Sequence, residues 1–178
     1  MASSIRYALN KNKYLLDPEL EALESLLKSS VHTNLRDSTM LSLALHTGAR
    51  AQELLNLRRS DLNIYDQSVF IRGLKASNDR EIPLRPELFK QASELAFSVH
   101  ENALIFDIGY HRLRQMWKWY RPVGKKFHCL RHSFAIRLYK KTKDIRLVQV
   151  ALGHRNITNT MIYADYVYSQ QELKKLIL

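Results

Sequence analysis

The sequence His-Cys-Leu-Arg-His-Ser-Phe-Ala occupies residues 128–135 and begins a stretch with helical spacing. His128 and Arg131 are three residues apart, so a helix places them on the same face. Two other basic residues have comparable settings: Arg50 follows Thr-Gly-Ala at a predicted turn, and His154 follows Leu-Gly at the end of a predicted helix. The chain therefore carries three separate segments in which basic residues lie at or near predicted helix ends.

The hydrophobic spacing around these segments predicts an α+β domain that is mainly helical. Asp17 and Pro18 are expected to start the first helix, with the Asp17 side chain capping its free amides. Three short strands, the first two joined by a turn at residues 66–67, are expected to form one antiparallel sheet in the first half. Further helices are predicted at 34–46, 52–57, 87–99, 110–121, 127–141, 145–152 and 159–163, and the strands at 62–65, 68–72 and 80–84.

Positive charge is concentrated in the second half of the chain. The 178 residues include 28 Lys and Arg and 17 Asp and Glu, for a formal net charge of +11. Residues 90–178 hold 16 basic and 6 acidic side chains, whereas residues 1–89 hold 12 and 11. A dense field of one sign attracts a polyanion, most commonly nucleic acid, although a basic surface without a partner is the simpler alternative.

Composition limits the other classes of protein. A hydrophobic fraction of 46% with 25% charged residues is typical of a globular domain, and the length suits one domain over residues 1–178. No apolar run approaches the roughly 18–20 residues of a membrane helix, and the N-terminus lacks the apolar core of a signal peptide. The single cysteine, Cys129, allows no internal disulfide, so we expect a cytoplasmic protein.

The sequence gives little support for a metal or nucleotide site. It contains neither of the glycine-rich motifs that cradle phosphates of a nucleotide. His128, Cys129 and His132 superficially resemble half a zinc site, but Arg131 would place a positive charge beside the metal and no second cysteine exists. Acidic residues are scarce after Glu87, which disfavours a magnesium cluster there.

Three segments resemble, in order and spacing, the conserved boxes of the tyrosine recombinase (phage-integrase) family. Residues 47–55, Thr-Gly-Ala-Arg-Ala-Gln-Glu-Leu-Leu, resemble the first box, and residues 128–135 resemble the start of the second. Leu-Gly-His at 152–154, followed nine residues later by Tyr163, resembles the end of the second box. The resemblance extends from about residue 14 to residue 168, and three boxes in the correct order make it specific.

The resemblance implies site-specific recombination of double-stranded DNA, with strand cleavage and rejoining through a 3′-phosphotyrosyl intermediate. It implies no cofactor, because the covalent intermediate conserves the bond energy without ATP and cationic side chains replace a metal ion. Tyr163 would be the nucleophile, while Arg50, Arg131 and His154 would contact the non-bridging phosphate oxygens. Tyr166 and Tyr168 are rival nucleophiles, but the spacing from His154 favours Tyr163.

The remaining roles are also implied by the resemblance. His128 would assist proton removal from the tyrosine, since a free phenol with a pKa of about 10 is largely protonated at neutral pH. Lys75, the only lysine in the loop between the second and third strands, would be the general acid toward the 5′ oxygen. Arg80 is less suited, because an arginine does not release its proton. Glu53 is expected to orient a basic residue.

Domain organisation and assembly follow from the same resemblance. Members of the family usually carry a core-binding domain ahead of the catalytic one, and only about 16 residues precede the first predicted helix in this chain. We therefore expect a catalytic domain alone, either excised or naturally short. Ser169 and Glu172 form a capping box that opens a terminal helix. Its apolar residues would dock on a neighbouring copy in a dimer or tetramer on DNA, or on their own domain: Leu173, Leu176 and Ile177.

Three other functions compete with recombination. A type IB topoisomerase-like enzyme would use the same intermediate to relax DNA. A non-catalytic DNA-binding regulator would keep the fold, although the set of predicted catalytic residues is complete in this sequence. A metal-dependent nuclease is disfavoured by the scarcity of acidic residues.

Overall fold

Eight α-helices and one three-stranded sheet make up the described part of the chain. The structure is a computed structural model, and it describes residues 9–74, 77–164 and 177–178. The helices are α1 (Asp17–Ser30), α2 (Leu35–Thr47), α3 (Ala51–Leu55), α4 (Pro86–Phe97), α5 (Tyr110–Tyr120), α6 (Cys129–Thr142), α7 (Ile145–Leu152) and α8 (Thr158–Ala164). The strands are β1 (Leu62–Asn63), β2 (Ser68–Ile71) and β3 (Arg80–Pro83), and the mainly helical α+β fold is confirmed.

Helix α1 begins differently from the prediction. The cap position is Leu16, whose backbone amide donates to the carboxylate of Glu19 at 2.8 Å. Asp17 lies inside the helix and is exposed, so the prediction that its side chain caps the free amides is wrong. Glu19 supplies the carboxylate instead, because a residue in the first turn can reach back to the amide that precedes it.

The sheet has the order β1-β2-β3 with antiparallel neighbours, and Val69 of the central strand pairs with Leu62 on one side and Ile82 on the other. Strand β1 ends at Asn63, two residues before the predicted end. The side-chain oxygen of Asn63 accepts hydrogen bonds from the amides of Tyr65 and Asp66 at 3.0 and 3.3 Å. Such a local hydrogen bond from an asparagine favours a turn, so the connection spans residues 64–67 rather than 66–67.

Two groups of buried residues form the interior. The larger surrounds α2, whose residues Met40, Leu41 and Leu43 are fully buried among the neighbouring helices α1, α3, α4 and α6. The smaller joins the N-terminal segment to the last three described helices, and it contains Tyr14, Ala135, Ile136, Val148, Leu152 and Tyr163. Because this second group packs α8 against α6 and α7, it fixes the ring of Tyr163 inside the domain.

Two glycines end helices one or two residues before predicted functional residues. Gly48 ends α2 with φ +63°, and Gly153 ends α7 with φ +69°, a left-handed conformation that glycine adopts without steric cost. A Cβ atom on Gly48 would lie 2.5 Å from Cδ1 of Phe134, and one on Gly153 would lie 2.6 Å from the carbonyl oxygen of Asn78. Helix α6 therefore approaches the α2 end closely, and the β2–β3 loop approaches the α7 end.

Most of the predicted terminal helix lies outside the described residues, including Ser169, Glu172, Leu173 and Leu176. Ile177 is described and is 75% exposed. None of the described helices is both long and apolar enough to cross a membrane.

Replacing Gly48 with alanine should destabilise the domain. The added methyl group meets Phe134 and Leu152 and requires a left-handed conformation that costs an L residue roughly 1–2 kcal/mol, so a total loss of about 2–4 kcal/mol is expected. Urea unfolding would measure it. Gly124→Ala is the matched control, because its Cβ meets no atom within 4 Å and its change should stay within about 0.5 kcal/mol. Equal stabilities of the two variants would show that the α2 end does not require a glycine.

Candidate active site

One open pocket of about 760 Å³ gathers side chains from separate parts of the sequence. Five of the six predicted catalytic residues line it, whereas the sixth, Lys75, lies outside the described residues. The start of α3, the start of α6, the end of α7 and helix α8 all contribute. The lining residues are Arg50, His128, Arg131, His132, His154, Thr158, Asn159, Met161, Ile162 and Tyr163.

Arg50 lies at the cap position of α3, directly after the turn made by Gly48 and Ala49. Its Nη1 atom donates to Oε1 of Glu53 at 3.0 Å and to the hydroxyl of Ser77 at 2.8 Å. Its backbone amide donates to the other oxygen of Glu53 at 2.8 Å. The side chain is still 34% exposed, so Arg50 is held in place while its guanidinium stays accessible from the pocket.

Arg131 lies in the first turn of α6 and is almost completely buried. Its Nη1 atom donates to the carbonyl of Gly48 at 2.7 Å, and its Nη2 atom donates to the carbonyl of Leu152 at 2.8 Å. Both carbonyls lie at helix C-terminal ends, which carry partial negative charge. Burial and the charge of Arg50 lower the pKa of Arg131 to about 9, which is still above neutral pH, so the group stays cationic.

Glu53 supplies the carboxylate that faces these cations. Its oxygens lie 2.7 Å from Nη2 of Arg80, which is itself buried, and 4.0 Å from Nη1 of Arg131. Burial acts to raise the pKa of Glu53, but the hydrogen bonds and charges of Arg80, Arg50 and Arg131 outweigh it and lower the pKa. Three guanidinium groups thus share one carboxylate, and the excess charge is available to an anion. Sequence reasoning considered Arg80 only as a weaker rival of Lys75.

His154 follows the left-handed Gly153 at the end of α7. Its Nδ1 atom lies 3.0 Å from the hydroxyl of Thr160, and its backbone carbonyl accepts from Nε2 of Gln149 at 2.9 Å. Burial, followed by the charges of Arg131 and Arg50, lowers the pKa of His154 to about 3, so the ring is neutral at pH 7. When Thr160 donates to Nδ1, the ring proton lies on Nε2 and can be donated to a phosphate oxygen.

His128 lies just before α6 rather than inside it, because the helix begins at Cys129 instead of residue 127. Its ring meets the ring of His132 edge to face at a centroid distance of 4.7 Å. Removal from bulk water and the nearby charges of Arg131 and Arg50 lower the pKa of His128 to about 4. Its imidazole is therefore neutral at pH 7 and able to accept a proton.

Tyr163 lies on α8 with its ring 2% exposed and its hydroxyl 2.9 Å from Nδ1 of His132. Sequence reasoning assigned no role to His132. The only signal was its position four residues after His128, which was considered as half of a zinc site. The rival tyrosines, Tyr166 and Tyr168, lie outside the described residues.

Ser77, two residues after Lys75, is held beside Arg50 and His154. Ser77 forms an isolated β-bridge with His154, and its hydroxyl donates to the carbonyl of Gly153 at 3.0 Å while accepting from Arg50. The amide of Gly73 donates to the carboxylate of Asp79 at 2.7 Å, which closes the base of the loop. Within the ranges that the structure covers, no three His, Cys, Asp or Glu side chains form a group suited to a metal ion.

Known proteins match this chain over most of its length. Residues 13–170 match the model of the phage integrase family. The tyrosine recombinase XerA of Pyrococcus horikoshii is 33% identical over 147 residues, which cover 75% of this chain and 52% of XerA. The tyrosine recombinase XerC of Staphylococcus aureus is 31% identical over 188 residues, which cover 94% and 62%. The chain therefore spans between half and two thirds of the length of these curated relatives.

Solved structures show the same fold. The XerH site-specific recombinase bound to a palindromic difH substrate, in a post-cleavage complex, superposes with a TM-score of 0.74 and 24% identity, over 94% of this chain and 53% of XerH. The catalytic domain of bacteriophage HP1 integrase superposes with a TM-score of 0.66 and 22% identity, over 94% of both chains. At these identities, the likeness establishes the fold alone.

The neutral histidines of the folded chain should make its stability depend on pH. Burial lowers the pKa of His46 and His128 to about 4 and that of His132 and His154 to about 3. The unfolded chain takes up these protons below about pH 6.5, so lowering the pH favours the unfolded state. Urea unfolding should therefore give a smaller free energy of unfolding at about pH 5 than at about pH 7.

A matched pair of variants checks the assignment. His132→Asn removes one of the four groups and should reduce the pH dependence, whereas substitution of the exposed His111 by glutamine should leave it unchanged. A free energy of unfolding that is the same at both pH values would contradict the lowered pKa values.

Proposed function

This chain belongs to the phage integrase family, and from that premise we propose that it cleaves and rejoins double-stranded DNA as a site-specific tyrosine recombinase. The observation that supports the proposal is the pocket itself, in which Tyr163 shares one cavity with Arg50, Arg131 and His154. A phosphodiester in this cavity would meet a nucleophile and cationic donors together. The chain spans only part of the length of its relatives. The recombinase activity of those longer proteins is therefore assigned to this chain only as part of this proposal.

The proposed reaction exchanges one phosphate ester for another. The oxygen of Tyr163 attacks the phosphorus, the bond to the 5′ oxygen breaks, and the products are a 3′-phosphotyrosyl link and a free 5′-hydroxyl. The phenol loses one proton and the 5′ oxygen gains one, so the step needs no oxidant, reductant or nucleotide. Rejoining is the same reaction in reverse, with a 5′-hydroxyl attacking the phosphotyrosine.

The cationic residues would stabilise the charge that develops on the phosphate oxygens. A guanidinium group presents forked donors that match two oxygens of a phosphate. Arg131 is immobilised by carbonyls at two helix ends, and Arg50 is held by Glu53, so both donors are oriented before the substrate arrives. Preorganised donors of this kind commonly lower a barrier by several kcal/mol. His154 would add a donor through Nε2.

Two residues would move the protons. His128 is neutral at pH 7, so it can assist in removing the proton from Tyr163. Lys75 would protonate the leaving 5′ oxygen, a role that suits a lysine because its ammonium group can release a proton. Support for Lys75 comes from its neighbour Ser77, whose hydroxyl lies 2.8 Å from Nη1 of Arg50.

Double-stranded DNA is the proposed partner, and the distribution of charge supports it. Between residues 112 and 155 there are 13 basic side chains and one acid, Asp144. Many of these basic residues are exposed, including Arg114, Lys118, Lys126 and Arg155. We also propose self-association on DNA through the terminal segment. Of its predicted docking residues, Ile177 lies in the described part of the chain and is exposed.

Substituting Tyr163 by phenylalanine tests the proposed function. The wild-type chain should form a denaturant-resistant adduct with a nicked suicide duplex, and the linked peptide should contain Tyr163. The variant lacks the attacking oxygen, so it should form no adduct while it still binds the duplex. Denaturing electrophoresis measures the adduct, and fluorescence anisotropy measures the binding.

The control is the salt dependence of binding. The logarithm of the affinity of both proteins should fall with the logarithm of the salt concentration, by roughly 0.9 per phosphate neutralised. An adduct that persists in the variant would place the nucleophile elsewhere. Plasmid relaxation by the wild-type chain without any recombinant product would instead favour a topoisomerase-like function.

A further inference from the structure

We propose that His132 is a positioning residue, which holds the hydroxyl of Tyr163 in place through its Nδ1 atom. The inference rests on the proposed function, because it takes Tyr163 as the nucleophile. His132 would act on the reaction through Tyr163 rather than by contact with the DNA. It would be an addition to the six catalytic residues that the sequence indicated.

The contact joins two buried rings on different helices. Nδ1 of His132, in the first turn of α6, lies 2.9 Å from the hydroxyl oxygen of Tyr163 on α8. The exposed fractions of the two residues are 6% and 2%. The ring centroids are 5.8 Å apart with the planes at 54°, so the contact is a hydrogen bond between ring edges rather than a stack.

A tyrosine nucleophile needs a restraint on its hydroxyl oxygen, which is the atom that reacts. Packing against Val148 and Leu152 holds the ring of Tyr163, and the hydrogen bond to Nδ1 of His132 adds a directional restraint at the oxygen itself. Attack requires the oxygen within roughly 3–3.5 Å of the phosphorus and in line with the leaving group, and a misplacement of about 1 Å can cost about 100-fold in rate. A hydrogen bond to the hydroxyl is therefore worth more to the reaction than to stability.

The surroundings of His132 determine the direction of this hydrogen bond. The groups that face it are His128, Arg131, Lys13 and His154, and each of them disfavours a positive charge on the ring. Burial and these neighbours lower the pKa of His132 to about 3. A neutral imidazole has one unprotonated nitrogen, so Nδ1 can accept a hydrogen bond from the hydroxyl of Tyr163.

The same surroundings distinguish positioning from proton removal. His132 is 6% exposed, so a proton on its ring would be held away from water, whereas His128, whose ring centroid lies 4.7 Å from that of His132, is exposed to solvent. His132 therefore holds the hydroxyl while another group takes its proton.

Two variants of nearly identical shape separate the hydrogen bond from the packing. His132→Asn places a polar side-chain atom where Nδ1 lies, and His132→Leu has the same branched shape without a hydrogen-bonding atom. With the nicked suicide duplex, we expect His132→Leu to form the adduct about tenfold more slowly at saturating DNA, with unchanged DNA affinity. His132→Asn should recover the rate to within about threefold of the wild type.

The outcomes distinguish this inference from the proposed function. No adduct with the wild-type chain would refute the proposed function. A wild-type adduct together with an unchanged rate for His132→Leu would refute only the role of His132, and so would equally slow rates for both variants, because the hydrogen bond would then not be what matters. Thermal unfolding of each variant shows whether it is folded at the assay temperature.

A spectroscopic measurement keeps the test decisive if His132→Leu does not fold. The nitrogen resonances of His132 in the wild-type chain should shift when Tyr163→Phe removes the hydroxyl, because Nδ1 loses its hydrogen-bond donor. Unchanged resonances would overturn the proposal. This readout depends on the contact alone, so it does not require DNA cleavage.

Discussion

Glu53 contributes one buried carboxylate to a cluster that otherwise consists of guanidinium groups. It lies within hydrogen-bonding distance of Arg50 and Arg80, and Arg131 approaches to 4.0 Å. Without that carboxylate, three like charges would face each other in a partly desolvated site, where their repulsion is poorly screened. With it, the repulsion is reduced and the cluster keeps a net positive charge. A net positive charge is what an anion such as phosphate requires of a binding site.

Backbone carbonyls, together with Glu53, hold the guanidinium groups in place. Arg131 donates to carbonyls at the ends of α2 and α7, and the helix that ends beside Gly48 is followed immediately by the segment that carries Arg50. Gly153 has the same relation to His154. The segments that carry Arg50 and His154 thus both follow left-handed glycines, which α6 and the β2–β3 loop approach closely. The positions of Arg50, Arg131 and His154 therefore depend on these helix ends.

Local sequence signals predicted most of the fold and of the site, and the failures have identifiable causes. The glycines at 48 and 153 ended helices as predicted, because a single residue determines that conformation. The cap by Asp17 and the length of β1 were wrong, since the helix start is closed by Glu19 on the amide of Leu16 and the end of β1 by Asn63 on the amides of Tyr65 and Asp66. Contacts between distant segments could not be predicted from spacing. Those of Arg80 with Glu53 and of His132 with Tyr163 span 27 and 31 residues of the chain and exist only after packing.

Substitution of Glu53 by glutamine tests most directly whether the cationic pocket depends on this carboxylate, because it removes the charge and keeps the shape. The buried Arg80 would lose its counter-charge, so the free energy of unfolding measured in urea should fall by about 3–5 kcal/mol. Glu94→Gln, at an exposed position on α4, is the matched control and should change it by no more than about 0.5 kcal/mol. Equal stabilities of the two variants would contradict the central role of Glu53, since the guanidinium cluster would then hold together without its charge.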